Sequence, residues 1–178
     1  MMTAIFSGCI APLAPDPFYP REWGEITRLG DQCKLIEGSY VNDGEWRGED
    51  NQTKNVSLSS ILFIPSNSKK ISLFTNTRRT DSHGDSFINL KVVPDNNQTS
   101  DYNIECFCID QNIICPGLNQ SYGFAPVGFA SGGNNVYFSI GKDNALLGRV
   151  DDVRLGLIFV VPIHITKKAW VRFKHADQ

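Results

Sequence analysis

Residues 135–147 read NVYFSIGKDNALL, and the interpretation of the whole sequence starts from this stretch. Val136, Phe138 and Ile140 occupy every second position, a period that is typical of a β-strand with one buried face. The next four residues, 141–144, are Gly-Lys-Asp-Asn, which favour a tight turn, and Leu146 lies in the apolar run that follows. The stretch therefore predicts a β-hairpin.

The same alternation between apolar runs and Asn- or Gly-rich clusters extends along the chain. It predicts short strands near 34–42, 70–76, 86–93, 101–109, 113–117, 135–140, 145–150, 154–165 and 169–175. Leu58, Ile61 and Leu62 keep a helical spacing, so we expect at most one short helix. Short connections favour an antiparallel meander, and such a sheet must hide its edges. We therefore predict an all-β fold with a barrel-like or strongly curled sheet.

The most apolar stretch lies between Leu155 and Ile165. We predict one long strand over 154–165 with both faces covered, which bulges, bends or runs along an edge at Pro162. A turn at Lys167-Lys168 then leads into the last strand.

Composition bounds the class of protein. The chain has 178 residues, of which 41% are hydrophobic and 20% charged, which indicates one globular domain with a real core. The net charge of −2 gives no electrostatic case for a nucleic-acid partner.

The first 32 residues differ from the rest. Pro12, Pro15, Pro17 and Pro20 fall close together, and each fixes φ and removes a backbone donor. We predict a Pro-rich tether over 1–32 and a single β domain over 33–178.

Cys9 follows Phe6-Ser7-Gly8, and small residues directly before a cysteine form the pattern that the bacterial lipoprotein signal peptidase cuts. The pattern predicts lipid attachment at Cys9 and hence a membrane as partner. None of the eight residues before Cys9 is basic, although a secretory signal needs a positive segment. Either the true start lies upstream, or Cys9 is an ordinary residue in the tether.

The other four cysteines predict disulfides. If Gln111 and Asn112 form a turn, Cys108 lies opposite Cys115 on the neighbouring strand, within the range of a disulfide. Cys106 is then left to pair with Cys33. The rival interpretation is a metal site made from Cys106, Cys108, Cys115 and a distant histidine, although structural zinc sites seldom use Cys-x-Cys spacing.

We find no catalytic constellation and predict a non-enzymatic protein without a cofactor. His83 lies among Asp, Ser and Gly residues that turn chemistry explains, so a hydrolase built on His83 is a minor hypothesis. His164 lies in the apolar run and His175 in the tail. The pairs Asp151-Asp152 and Glu49-Asp50 are predicted solvated turns, since neighbouring strand residues face opposite sides.

The opening Cys33-Lys34-Leu35-Ile36-Glu37-Gly38-Ser39-Tyr40-Val41-Asn42-Asp43-Gly44-Glu45 resembles that of a group of uncharacterised proteobacterial lipoproteins. Their pattern is Cys, an apolar pair, Gly-x-Tyr and Asn-x-Gly-Glu, and Trp170-Val171-Arg172-Phe173 resembles their C-terminal end. The resemblance covers the two ends of the chain. It implies an outer-membrane lipoprotein that faces the periplasm, with no catalytic residues to transfer. In that group the acylated cysteine is at this opening or upstream, so Cys33 competes with Cys9 for the lipid.

A second resemblance leaves an alternative function open. Gly-x-Tyr opening a strand, with Trp and Arg near the end of the chain, resembles lipocalin-like barrels, in which Gly-x-Trp packs against a late Arg. Here Tyr40 replaces the tryptophan, and the resemblance implies a small barrel that binds an apolar ligand. Core packing of Tyr40 against a basic side chain would explain the same residues.

Overall fold

The computed structural model describes residues 16–27, 33, 36–80, 86–95, 101–109, 112–124, 128–158 and 161–177. Within these ranges a short 3-10 helix, Arg21–Trp23, precedes eleven strands and one helix. The elements are β1 (Ile26–Thr27), β2 (Gly38–Val41), β3 (Asp43–Gly48), β4 (Thr53–Ser57), α1 (Leu58–Ile61), β5 (Lys70–Thr80), β6 (Ser86–Pro94), β7 (Tyr102–Ile109), β8 (Asn112–Phe124), β9 (Gly128–Gly141), β10 (Leu146–Ile158) and β11 (Val161–Phe173).

The strands form one antiparallel, strongly curled half-barrel sheet, so the predicted fold class is confirmed. The spatial order is β2-β5-β6-β7-β8-β9-β10-β11-β3-β4, with β1 paired to β9. The run from β5 to β11 is the predicted meander. The curl brings β2 against the segment that follows β11: the Val41 amide donates to the Lys174 carbonyl at 2.9 Å, and the Ala176 amide donates to the Ser39 carbonyl at 2.8 Å.

The concave side of the sheet holds the main core, which side chains of alternate strand positions fill. Fully buried members with large side chains come from strands all round the curl: Tyr40, Ile71, Leu73, Leu90, Ile113, Phe138, Leu146 and Phe173. The Tyr40 hydroxyl donates to the Ile36 carbonyl at 3.0 Å, and burial raises its pKa. The ring of Tyr40 packs edge-on against the ring of His175, with the ring centres 5.5 Å apart.

The turn predicted between β9 and β10 is confirmed. The Asn144 amide donates to the Gly141 carbonyl at 3.0 Å, and Asn144 adopts a φ of 58°. Asparagine tolerates this left-handed conformation better than most residues. The carboxylate of Asp143 accepts a hydrogen bond from the Ala145 amide at 3.3 Å, which fixes the turn from within.

The predicted strand over 154–165 is wrong, because that segment is divided between two strands. β10 ends at Ile158, β11 begins at Val161, and Leu157 pairs with Pro162 across the hairpin. The predicted covering of both faces is also wrong: Leu155 is 55% exposed and Ile165 is 43% exposed. The predicted turn at Lys167-Lys168 lies inside β11, opposite Asp152 and Asp151.

Part of the segment predicted as a tether, residues 16–27, packs on the sheet instead. Trp23 is 5% exposed and lies against Trp170 and Leu147, and Tyr19 packs on the same cluster. β1 pairs with the end of β9, and ion pairs join Glu22 to Arg47 and Glu25 to Lys142. The β domain therefore includes residues 16–27, and its boundary precedes the predicted Cys33. The rest of the segment lies outside the described residues.

Asn42 holds the corner between β2 and β3. Asn42 is 5% exposed. Its side-chain nitrogen Nδ2 donates to the Ser68 carbonyl at 2.8 Å, and its side-chain oxygen Oδ1 accepts from the Ser59 backbone amide at 2.8 Å. The Asn42 carbonyl also accepts from the Leu58 amide at 2.7 Å, at the start of α1. Ser57 caps that helix by accepting from the Ser60 amide at 3.2 Å, so the one predicted short helix is confirmed.

Candidate functional site

The four described cysteines form two disulfides, but the pairing differs from the sequence-based expectation. Cys33 is bonded to Cys108, with Cα atoms 6.2 Å apart, and Cys106 is bonded to Cys115, with Cα atoms 4.4 Å apart. The predicted pairs Cys108–Cys115 and Cys33–Cys106 are therefore wrong in connectivity, although the same four residues take part. Because the sulfur atoms of all four residues are in disulfides, they cannot be the thiolate ligands that the rival metal site requires.

The error lies in the register of one hairpin. Ile109 pairs with Asn112 and Phe107 with Ile114, so Asn112 belongs to β8 and not to the turn. This register differs by two residues from the predicted one. It places Cys106 directly opposite Cys115, while Cys108 lies opposite Ile113. Cys108 is therefore left to reach Cys33.

The disulfides lie within the packed core. Cys33 and Cys106 are fully buried and Cys115 is 3% exposed, while Cys108 packs against the same cluster at partial exposure. Burial in an apolar core separates these sulfur atoms from solvent reductants. They therefore act as structural links and not as exposed redox groups.

The residue predicted to carry the lipid, Cys9, lies outside the described residues. Its acylation stays a prediction, as does the competing assignment to Cys33. In the structure the Cys33 sulfur is in a disulfide and is not available for a thioether.

The two described histidines, His164 and His175, take part in separate local contacts. His83 lies outside the described residues. His164 is exposed on β11, with its Nε2 3.3 Å from the Thr166 hydroxyl. His175 follows β11 and forms an isolated antiparallel β-bridge with Tyr40 of β2. Its ring nitrogen Nδ1 accepts a hydrogen bond from the Asp177 backbone amide at 3.4 Å.

The two adjacent acidic pairs diverge as predicted, although Asp151-Asp152 lies inside β10 and not in a turn. Asp151 accepts two hydrogen bonds of 3.1 Å from Arg149, while Asp152 bonds to Arg154 at 2.8 Å. Glu49 accepts from the Lys168 amide at 3.0 Å. Within the described part of the chain, no group of three or more His, Cys, Asp or Glu residues could hold a metal ion.

Sequence reasoning missed a cleft on the convex face of the sheet. The register places Tyr137, Arg149 and Trp170 side by side on β9, β10 and β11. The Arg149 guanidinium lies 4.3 Å from the centre of the Tyr137 ring, a favourable cation–π contact. The cleft has a volume of about 210 Å³, and its lining comprises these three residues with Ile26, Asn112, Ile114 and Ser139.

The lining of this cleft mixes ring faces with polar groups. Trp170 is 6% exposed, and among the described residues its indole N–H has no hydrogen-bond partner. The Arg149 guanidinium is already held by Asp151. The cleft can hold a small polar molecule, but no nucleophile and general base meet there. Only the strand register reveals this arrangement, because the three residues are distant in the sequence.

A second depression of about 450 Å³ lies where the end of β2 and the start of β3 meet the end of β11. Its lining carries both signs of charge, with Asp43 and Glu45 facing Arg172 and Lys174. This mixed, open surface is a poor match for an apolar ligand.

None of the helices in the described part of the chain has the length and apolar character that crossing a membrane requires. Comparison with known proteins gives no family for this fold: no protein-family model, no curated protein and no solved structure matches the chain. Function must therefore be argued from the residues themselves.

Proposed function

We propose that the chain is a non-enzymatic protein of the bacterial cell envelope, held at the outer membrane by a lipid on Cys9 and facing the periplasm. Its role there is binding or structural. The observation that carries the proposal is the pair of disulfides in the core. Disulfides form and persist in oxidising compartments such as the periplasm and are rare in the cytosol of most organisms.

The cysteine arrangement also supports the choice of anchor. Cys33, Cys106, Cys108 and Cys115 are all engaged in disulfides, which leaves Cys9 as the fifth cysteine of the sequence. Cys9 is also the cysteine that follows the small residues Ser7 and Gly8. The resemblance to proteobacterial lipoproteins agrees with this assignment, and Cys9 is then preferred to Cys33.

The experiment is an intact-mass measurement on protein isolated from its native host, with and without reductant. We expect protein from the membrane fraction to exceed the mass of the unmodified chain by the mass of the acyl chains. Reduction of the two disulfides should then add the mass of four hydrogen atoms. Cys9→Ser should move the protein out of the membrane fraction. Ser7→Ala is the matched control, because it keeps a small residue before the cysteine and should remain acylated.

Two results would contradict the proposal. Five free thiols in the native material would place the protein in a reducing compartment. A protein without acyl chains, whose distribution Cys9→Ser leaves unchanged, would remove the lipid anchor. We do not propose the apolar-ligand alternative, because the two clefts described above mix apolar side chains with polar and charged ones.

A further inference from the structure

The floor of the convex cleft is one row of paired strand residues. Ile114 pairs with Tyr137, and Tyr137 pairs with Arg149. Arg149 in turn pairs with Trp170, so all four side chains lie on the same face of the sheet. Ile26 completes the cleft from β1, which is paired with the end of β9. Five strands from distant parts of the chain therefore build this cleft.

The guanidinium of Arg149 is fixed in place, but Asp151 does not use all of its donors. Asp151 accepts hydrogen bonds of 3.1 Å from Nε and from Nη2, and the Tyr137 ring centre lies 4.3 Å from Cζ. A guanidinium carries five N–H donors, so Asp151 leaves those on Nη1 for another acceptor. Because these contacts position the group in advance, a ligand would lose little affinity to the ordering of this side chain.

The formal charge in the described lining of the cleft is positive. Asn112, Ser139 and Tyr137 are neutral polar residues, and no carboxylate belongs to the described lining. The side chain of Asp151 is 14% exposed and lies outside that lining. A ligand in the cleft therefore meets the cation of Arg149 more directly than it meets the counter-charge, which favours an anion.

Trp170 adds a second donor to the same part of the cleft. Its side chain is 6% exposed, and its indole N–H has no hydrogen-bond partner among the described residues. A buried donor without an acceptor is costly, and a bound acceptor is one of the explanations for such a group. Trp170 lies directly opposite Arg149, so both donors favour a ligand that carries acceptor oxygens.

The rest of the lining and the size of the cleft narrow the class of ligand. Ile26, Ile114 and the ring of Tyr137 are apolar, and an inorganic anion would leave them uncovered. The volume of about 210 Å³ equals about seven water molecules at roughly 30 Å³ each. This space suits a compact organic molecule with one anionic group.

We propose that the convex cleft binds a small organic carboxylate whose apolar body is about as large as one six-membered ring. The carboxylate accepts hydrogen bonds from Arg149, with Trp170 as the second donor, and the apolar body packs against Ile26 and Ile114. This ligand is anionic and lies on the convex face, so it differs from the apolar ligand of a lipocalin-like barrel. The inference goes beyond the proposed function and does not require it.

The test is a titration of the full chain with sodium benzoate at pH 7, followed by the indole N–H signals in nuclear magnetic resonance spectra. Trp170→Phe assigns the signal of Trp170. Benzamide is the matched ligand, because it has nearly the same shape and no charge. We expect benzoate to shift the Trp170 signal with a Kd on the order of 1 mM and to bind at least about tenfold more tightly than benzamide.

Arg149→Met removes the charge and keeps most of the apolar stem. It should lower the affinity for benzoate at least about tenfold and leave the affinity for benzamide unchanged, whereas a purely structural role of Arg149 would lower both. Arg154→Met is the matched control. Arg154 also bonds to a carboxylate two residues away on β10, that of Asp152, but it does not line the cleft. This control should leave both affinities unchanged.

A further variant covers the case in which Arg149→Met does not fold. Ile26 is 39% exposed, so Ile26→Trp can be accommodated, and the larger side chain should narrow the cleft and weaken binding of both ligands.

Four results would overturn the inference. They are equal affinities for benzoate and benzamide, a benzoate affinity that Arg149→Met leaves unchanged, full binding by Ile26→Trp, and displacement of benzoate by an equal concentration of inorganic phosphate. The last result would show that the apolar part of the cleft does not contribute. All four leave the mass measurement on Cys9 unaffected.

Discussion

The two disulfides should contribute unequally to stability, and the difference can be calculated from the chain lengths they close. Cys33 and Cys108 are separated by 75 residues in the sequence, and Cys106 and Cys115 by 9. Cross-linking restricts the unfolded chain more when the closed loop is longer. The chain-entropy relation gives about 4.5 kcal/mol for the long loop and about 2.6 kcal/mol for the short one.

The perturbation is the replacement of each pair by alanine, Cys33→Ala with Cys108→Ala and, separately, Cys106→Ala with Cys115→Ala. Each double variant removes two sulfur atoms from the same core cluster, so the packing losses are similar. The difference of about 2 kcal/mol in the free energy of unfolding then reports the loop entropy.

The assay is equilibrium unfolding in urea at neutral pH, followed by far-ultraviolet circular dichroism. With an m-value of about 2 kcal/mol/M, the long-loop variant should unfold at a midpoint about 1 M lower than the short-loop variant. Equal midpoints, or the reverse order, would refute the reasoning. The pairing is verified first by peptide mapping: cleavage after Phe107 and before Asp110 separates the three neighbouring cysteines, and Cys33 should be recovered with Cys108.

Three further outcomes are expected. Asn42→Leu leaves buried hydrogen-bonding groups of its former partners unsatisfied, so urea unfolding should show a loss of about 2–4 kcal/mol. Gly44→Ala would place a Cβ 2.4 Å from the Phe173 ring and should lower stability by about 1–3 kcal/mol, whereas Gly48→Ala, on the same strand and 3.1 Å from a flexible carboxylate, should change stability little. Although burial alone would raise the pKa of Asp143, hydrogen bonds from Arg172 and a backbone amide lower it overall. The ionised Asp143 side chain therefore stabilises the fold at pH values above its unfolded-state pKa, and this stabilisation is lost as the pH falls through its folded-state pKa. Asp143→Asn should therefore flatten the fall in thermal midpoint below about pH 4, and an unchanged acid profile would contradict this.

The sequence was sufficient for the β9–β10 hairpin, because polar turn residues mark both of its strand ends. Residues 141–144 gave the β9–β10 turn correctly, because a short polar turn between alternating strands has few other solutions. The β10–β11 hairpin was missed for the opposite reason. Its linking residues are Phe-Val, and a continuous apolar run does not show where one strand stops and the next begins.

Two other errors depended on distances that no local pattern contains. Proline density predicted a tether over 1–32, but Trp23 finds an apolar site made by Leu147 and Trp170, far along the chain. The disulfide pairing depended on a turn placed one residue too late, which shifted the strand register by two residues and exchanged the partners of Cys106 and Cys108. The convex cleft could not be predicted either, since it needs the register of several strands at once.

The position of the short disulfide has a physical reason in the shape of the sheet. β8 pairs with β7 only over its first residues, from Asn112 to Ile114, and then continues with β9 alone. A strand that loses one neighbour in this way tends to fray from the point where the two strands separate. Cys115 is the next residue of β8, and its disulfide to Cys106 links β8 to β7 at the point where their backbone pairing ends.

The chain departs from regular pairing immediately after this link. The register of β8 against β9 shifts between Pro116 and Asn119, and a Cβ on Gly117 would lie 2.4 Å from the Asn134 carbonyl oxygen. Pro116 lacks a backbone donor and Gly117 permits the close approach, so both residues suit a bulge. The bulge begins directly after the disulfide-bonded residue of β8. The bond between Cys106 and Cys115 therefore lies where β8 leaves β7 and just before the pairing of β8 with β9 becomes irregular, a position at which it limits fraying of the sheet.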